Sequence, residues 1–277
     1  MSKFKIIPIF VPHKGCPHQC SFCNQKHITG QLEEMTPQKA KEIIELYLST
    51  IDTNKFRTEI AFYGGSFTAI DMEYQTELLK VAYSYVKKGL IKGVRLSTRP
   101  DAINEEILDN LKKYGVTEIE LGVQSMCDDV LVANERGHTA EDVKKTVELI
   151  RNYDFSLGLQ QMTGLYNDSC EKDIETARQI CKLKPDFVRI YPTLVFNNTV
   201  LAQYYKDGLY KPHTIDEAVD LCKKIKLIYD ENDIKIIRLG LLMSDDEAKN
   251  NYIDGPYHPR FRELVEGKEV LYAYKST

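Results

Sequence analysis

The sequence predicts an α/β fold: an open, partial (βα)6 TIM-type barrel followed by a short C-terminal extension. Three observations predict it. Short apolar runs alternate along nearly the whole chain with stretches whose apolar residues recur at helical spacing. Most of the polar and Gly-containing motifs fall where those runs end, which is where parallel βα folds carry their functional loops. The chain has 277 residues, 43% of them apolar and 28% charged, ordinary values for a globular domain with one substantial core.

Taken in order, residues 4–11, 59–63, 94–98, 118–124, 156–162 and 187–191 read as the six strands, with 234–241 as a seventh candidate. The first intervening helix is marked by a stripe of Ala40, Ile43, Ile44, Tyr47, Leu48 and Ile51. Thr36 followed by Pro37 starts it: a capping hydroxyl, then a residue suited to the first turn. Thr139 with Asp142, and Thr214 with Glu217, offer the same kind of start to later helices. No repeat, low-complexity tract or linker interrupts the series. Residues 1–277 are therefore expected to form one domain, with a ligand loop at 13–27 and the extension at about 242–277.

No apolar run approaches a membrane span, and residues 1–11 lack the pattern of a secretory signal, so a cytoplasmic chain with no membrane partner is expected. The net charge of −4 gives no global basic footprint for nonspecific nucleic-acid binding, although a local patch is compatible with it. Lys87, Lys88, Lys92 and Arg95, and the run Tyr257-His258-Pro259-Arg260-Phe261-Arg262, set basic groups beside aromatics. They can grip and stack nucleotides or simply be solvated surface.

Seven cysteines in such a chain read as metal ligands or buried thiols. Cys16, Cys20 and Cys23 are spaced to bring three thiolates onto one tight loop. Zinc in a closed structural site wants four protein donors, and His13, His18 and His27 lie near enough to offer a fourth. No second Cys/His pair follows at finger spacing. An iron–sulfur cubane held by three thiolates instead leaves one iron open for a cofactor or substrate. Cys170 and Cys181, on one stripe with Ile174 and Ala177, and Cys222, beside Ala218 and Ile225, read as small core residues. Cys127 follows a strand end and can face the site.

Further motifs follow the strands. Gly64-Gly65-Ser66-Phe67 ends the second; its paired glycines either let a ligand approach the backbone or make a tight turn. Ser97 and Arg99 can reach inward, or Pro100 and Asp101 simply lead into a helix. Gln124 and Ser125 end the fourth strand and need polar partners, either ribose hydroxyls or the next loop's backbone. Arg136 carries a planar fork suited to a carboxylate, or sits on the surface near a helix start; His138 donates to a substrate or caps a turn. Of Gln160 and Gln161, one should point into the barrel.

Together these motifs resemble the radical S-adenosylmethionine (radical SAM) superfamily. More narrowly the chain is similar to the radical SAM half of the Elongator catalytic subunits, which carboxymethylate tRNA uridine. That likeness is carried by Gly64–Phe67 as quoted, Thr98-Arg99-Pro100-Asp101, Gly122-Val123-Gln124-Ser125, Arg136-Gly137-His138-Thr139 and Arg189-Ile190-Tyr191-Pro192-Thr193-Leu194-Val195, with Thr199, Leu201, Gly208 and Tyr210 following. A more distant likeness is to oxygen-independent coproporphyrinogen oxidases. The Elongator enzymes have a longer insertion between their first two cluster cysteines. Gln160 stands where a histidine is expected and Thr163 where a proline is expected. The basic segment and acetyltransferase domain of that family are not expected in this chain.

The resemblance implies a partial barrel of the radical SAM type and an oxygen-sensitive [4Fe–4S] cluster on Cys16, Cys20 and Cys23. Its open iron would bind the amino and carboxylate groups of S-adenosylmethionine. One-electron reduction would then give methionine and a 5′-deoxyadenosyl radical that abstracts hydrogen from a substrate, a tRNA base being the candidate. Implied cofactor contacts are Phe22 beside the adenine, Gly64, Gly65, Ser66 and Phe67 at the methionine amino group, and Arg136 at its carboxylate. Ser97, Arg99, Gln124, Ser125 and Gln160 are implied around the remaining polar groups, with Tyr191, Leu194 and Val195 lining the adenine pocket or filling the barrel. Implied partners are an electron donor such as flavodoxin or ferredoxin, tRNA, and a separate acetyltransferase. Competing readings are a radical SAM enzyme acting on a small molecule or peptide, and a zinc-stabilised RNA-binding module without catalysis.

Overall fold

A computed structural model describes residues 3–11, 19–23, 34–243 and 250–273, with side chains to residue 267. The chain divides into two compact units: Met1–Pro17, Gln25–Gly122 and Lys144–Leu157 form the first, and His18–Asn24, Val123–Val143 and Gly158–Thr277 the second. Among the described residues no helix is long and apolar enough to cross a membrane.

In the first unit β1 (Lys3–Val11), β2 (Phe56–Gly64), β3 (Val94–Thr98) and β4 (Val116–Gln124, whose last two residues belong to the second unit) follow one another. β1 with β2, β2 with β3 and β3 with β4 pair in parallel. Parallel neighbours need crossovers, and α1 (Pro37–Leu48), α2 (Met72–Lys87) and α3 (Glu105–Lys113) provide them. Each helix starts on a side-chain acceptor: Thr36, Asp71 and Asn104 bond the free amides of their first turns. Ile7, Ile9, Ile60, Phe62, Leu96, Leu108 and Leu111 are fully buried in this unit.

Arg95 is not part of a basic face. It is 6% exposed, ion-paired through Nη2 to Glu59 at 2.5 Å and through Nη1 to Glu118 at 2.6 Å, with the Phe4 ring against its guanidinium. A desolvated cation must find such partners inside its own fold, so it has no charge to spare for a nucleic acid. Lys87 and Lys88 are exposed and lie over the Tyr83 and Tyr85 rings, while Lys92 is exposed.

The second unit holds α4 (Asp128–Ala133), β5 (Ser156–Thr163, in its greater part), α6 (Cys170–Lys182), β6 (Phe187–Pro192), β7 (Val195–Phe196), α7 (Val200–Lys206), α8 (Ile215–Glu231), β8 (Lys235–Leu239), β9 (Tyr252–Asp254) and α9 (Phe261–Ala273). α5 (Ala140–Arg151) runs from the second unit into the first. β5, β6 and β8 pair in parallel in that order, so the seventh candidate strand is a member of the sheet. The capping box expected of Thr214 and Glu217 starts α8, and Thr139 and Asp142 exchange bonds at the start of α5. β7 and β9 form a short antiparallel pair that the sequence analysis did not anticipate. Cys181 and Cys222 are buried as expected, but Cys170 is exposed: it is the first residue of α6, directly after the Ser169 cap, where the stripe has not yet turned inward.

Candidate cysteine-loop site

The loop carrying Cys20 and Cys23 is fixed by Ser21 between them. The Ser21 hydroxyl donates to Asn134 Oδ1 at 2.7 Å and its amide donates to the Asn134 carbonyl at 3.2 Å. Its carbonyl accepts from the Leu201 amide in the first turn of α7 at 2.8 Å, and the Cys23 amide closes a turn on the Cys20 carbonyl at 3.0 Å. Cys20 is 5% exposed and Cys23 is half-buried. The backbone therefore holds both sulfurs on one short turn. Cys16 and the loop positions His13, His18, Asn24, Gln25 and His27 lie outside the described residues.

Asn134 is the residue the sequence analysis missed. It is fully buried, and its amide nitrogen donates to the carbonyls of Val130 and Tyr166, both at 2.8 Å. Its only sequence signal is its place two residues before Arg136, at the end of α4. The segment after β5 that includes Tyr166 is braced in turn. The Asp173 carboxylate accepts from the Gly164 amide at 3.0 Å, and the buried Tyr210 hydroxyl donates to the Gly164 carbonyl at 2.7 Å. Burial and the neighbouring Asp168 push the Asp173 carboxyl well above the usual carboxylate range. Burial also brings Asp168 to about 6, so this pair retains a proton where isolated carboxylates have lost theirs.

Arg136 is 6% exposed; its Nη1 donates to Cys20 Sγ at 3.1 Å and its guanidinium lies 5.9 Å from the centre of the Phe22 ring. A charge-assisted bond to sulfur stabilises negative charge there, and hydrogen bonds to ligating sulfurs tune a cluster. Phe22 packs on a buried group of Val195, Leu201, Ala202 and Tyr210, with Tyr166 and Tyr204 alongside. Val195 is thus core on the side facing Phe22, and Leu194 beside it is buried. His138 is 4% exposed, with Nε2 3.2 Å from the Val123 carbonyl.

Gln124 and Ser125 divide their roles. Ser125 is buried, accepts from the Cys127 amide at 3.2 Å and lies 3.3 Å from the Thr176 hydroxyl, so it is engaged by the next loop and by α6. Burial raises the Cys127 thiol. Gln124 is half-buried in the left-handed region at φ 68°, and its buried Oε1 has no hydrogen-bond partner among the described residues. A non-glycine residue held there with an unused acceptor is what a ligand-binding position looks like. In β5, Gln161 is fully buried, donating to the Asp173 carbonyl at 2.8 Å and accepting from the Tyr229 hydroxyl at 2.7 Å. Gln160, half-buried, takes the other face, together with Tyr191 of β6.

In the first unit the predicted residues mostly have structural work. Gly64 sits at φ 118° where β2 ends beside Val11, and a Cβ would lie 2.3 Å from the Val11 carbonyl oxygen. Ser66 is buried, and Phe67 is buried and stacked 4.7 Å from Phe62. Arg99 is 3% exposed and forms a two-point ion pair with Asp101 at 2.8 and 2.9 Å. Gly65 and Ser97 are half-buried, and Thr98 beside Ser97 bonds Thr68.

Two soft sulfur donors on one turn, a cation bonded to one of them and an unused amide oxygen in the same unit fit an iron–sulfur centre with a polar cofactor. Comparison with known proteins gives the family. The profile of the Radical SAM superfamily matches residues 10–180, and that of the Radical_SAM C-terminal domain matches residues 185–269. A tRNA uridine(34) acetyltransferase of Methanocaldococcus jannaschii is 28% identical over 96% of this chain and 55% of its own length. Elongator complex protein 3 of Saccharomyces cerevisiae is 31% identical over 61% of this chain and 34% of its own. The chain thus spans about half, or less, of the length of these curated relatives. The solved structure of Methanocaldococcus infernus Elp3 with an N-terminal deletion superposes with a TM-score of 0.74 at 23% identity, covering 98% of this chain and 64% of that one. Coproporphyrinogen III oxidase of Escherichia coli gives 0.59 at 15% identity, over 97% of this chain and 59% of that one.

Proposed function

Because the chain belongs to the radical SAM superfamily, with its α/β partial-barrel fold, we propose that it acts as one radical SAM domain whose Cys16, Cys20 and Cys23 hold a [4Fe–4S] cluster, and that it modifies a uridine base of tRNA. When bound, the cluster with S-adenosylmethionine supplies one-electron reductive cleavage and a hydrogen-abstracting 5′-deoxyadenosyl radical. The observation that carries the reading is the clamped Cys20–Cys23 turn with Arg136 on the Cys20 sulfur.

The chain's own residues do the positioning. Asn134 and the first turn of α7 fix the backbone at Ser21, between the two cysteines. Arg136 places positive charge at the Cys20 sulfur, and the Phe22 ring lies beside that guanidinium. Gln124 offers its unused oxygen to a hydroxyl donor such as a ribose, and Gln160 and Tyr191 present polar groups from β5 and β6. The tRNA substrate rests on the name of a relative; a separate acetyltransferase and an electron donor of flavodoxin or ferredoxin type complete the proposal, the donor because reductive cleavage needs one electron from outside the chain.

Anaerobic reconstitution with iron and sulfide, then reduction with S-adenosylmethionine, is expected to yield 5′-deoxyadenosine, with none above background in Cys20→Ala. Zinc in place of iron and no cleavage by the unaltered protein would support a metal-stapled RNA-binding module instead.

A further inference from the structure

The starts of the first three strands gather cations on the first unit. Lys5 of β1 is in register with Thr58 of β2, and the Lys92 amide, just before β3, donates to the Thr58 carbonyl at 2.8 Å. Lys5 and Lys92 therefore flank the fully buried Thr58 from either side, and both are exposed. Lys5 Nζ lies 5.3 Å from the centre of the Phe56 ring, and Lys92 Nζ donates to the Gly89 carbonyl at 3.4 Å. Neither lysine meets a carboxylate among the described residues.

Beside Phe56 lies an open hollow of about 430 Å³, lined by Thr53, Asn54, Lys55, Phe56, Arg57 and Lys92. Lys55 is 78% exposed, and its pair with Asp52 at 3.3 Å lies in solvent, where such contacts are weak and screened by salt. Arg57 is 56% exposed and bonds Glu59 through Nε at 3.1 Å, leaving its two terminal nitrogens without a hydrogen bond among the described residues. Glu59 also carries Arg95, so one carboxylate serves two guanidiniums. The hollow is thus a local surplus of positive charge on a chain whose net charge is −4.

From this we infer that Lys5, Lys55, Arg57 and Lys92 form a contact for the sugar–phosphate backbone of RNA. A concave face with cations in excess and an aromatic ring in its wall suits a chain of phosphates. The contact rests on the tRNA reading for the source of that chain. It lies at the Phe56 end of β2, while Gly64 and the motif it opens lie at the other end of this nine-residue strand, roughly 26 Å away. RNA is held here by charge and not by base identity.

The test is anisotropy of a fluorescein-labelled, uridine-containing RNA dodecamer added to the full chain over a range of salt concentrations. Removing two phosphate contacts in the double variant Lys5→Gln, Lys92→Gln should lower the slope of log affinity against log salt by about 1.4 and weaken binding roughly twentyfold at 0.1 M salt. The double variant Lys5→Arg, Lys92→Arg should keep the slope, and Lys206→Gln, at the end of α7, should match the unaltered protein. An unchanged slope in the glutamine variant would overturn the contact and leave the tRNA reading standing, as would an equal loss per lysine in Lys206→Gln. Lost binding to phosphatidylserine vesicles with the RNA slope unchanged would overturn it in favour of a lipid surface. No RNA binding by the unaltered protein would overturn the contact and the tRNA reading together.

Discussion

The two units treat their motif residues differently. In the first, Gly64, Phe67 and Arg99 are used by the fold: one permits a close strand approach, one fills the core and one ties down a turn. In the second, Gln124 is held in place with bonding capacity left over, and Arg136 is set against a sulfur. Motif residues of one family can thus be conformational in one place and chemical in another. What separates Arg99 from Gln124 is that the Arg99 guanidinium is committed to a two-point ion pair, whereas the Gln124 amide oxygen has no hydrogen-bond partner among the described residues.

The largest effect that would break this contrast is at Gly64. A methyl group there meets the Val11 carbonyl oxygen at 2.3 Å with φ at 118°, and neither backbone can yield cheaply. Gly64→Ala should lose about 3 kcal/mol or more in urea unfolding; a near-neutral result would assign the glycine to the cofactor alone. Next is Asn134→Ala, which removes three buried side-chain hydrogen bonds, among them the one to Ser21. It should cost about 2–3 kcal/mol and also reduce iron bound per chain, a readout that a merely structural residue would not move.

The carboxyl pair sharpens the comparison through pH. Both folded-state values are raised, so the pair's contribution is fully present below the unfolded value near 3.8 and is lost as pH rises through about 6 for Asp168. Asp168→Asn should therefore be more stable relative to the unaltered protein at pH 7 than at pH 4. Urea midpoints at both values, with no difference in the gap, would refute the shared proton. The smallest expected effect is Thr214→Ala, which opens the capping box of α8 at a cost of about 1 kcal/mol and should leave iron content unchanged.

Much of the fold was legible in the sequence because apolar strands of a parallel sheet are continuous runs, and seven of them are bounded by turn residues or helix caps. The β7–β9 pair was not legible, since two or three residues carry no periodicity. Within the site, the cysteines and Gln124 stood out by type and spacing. Asn134, Asp168 and Asp173 did not: their importance comes from burial beside partners distant in the chain, as with Ser21 and Asn134, 113 residues apart. Arg95 misled for the same reason, because Glu59 and Glu118 neutralise it only once the strands pair.

Ser21 is held through its amide, its carbonyl and its hydroxyl at once. The conformational entropy of the Cys20–Cys23 turn is therefore lost during folding, not when a metal is captured. Amide hydrogen exchange at Ser21 and Cys23 should be almost as slow in chelator-stripped protein as in loaded protein, making the turn a preformed socket and not a product of the metal it receives.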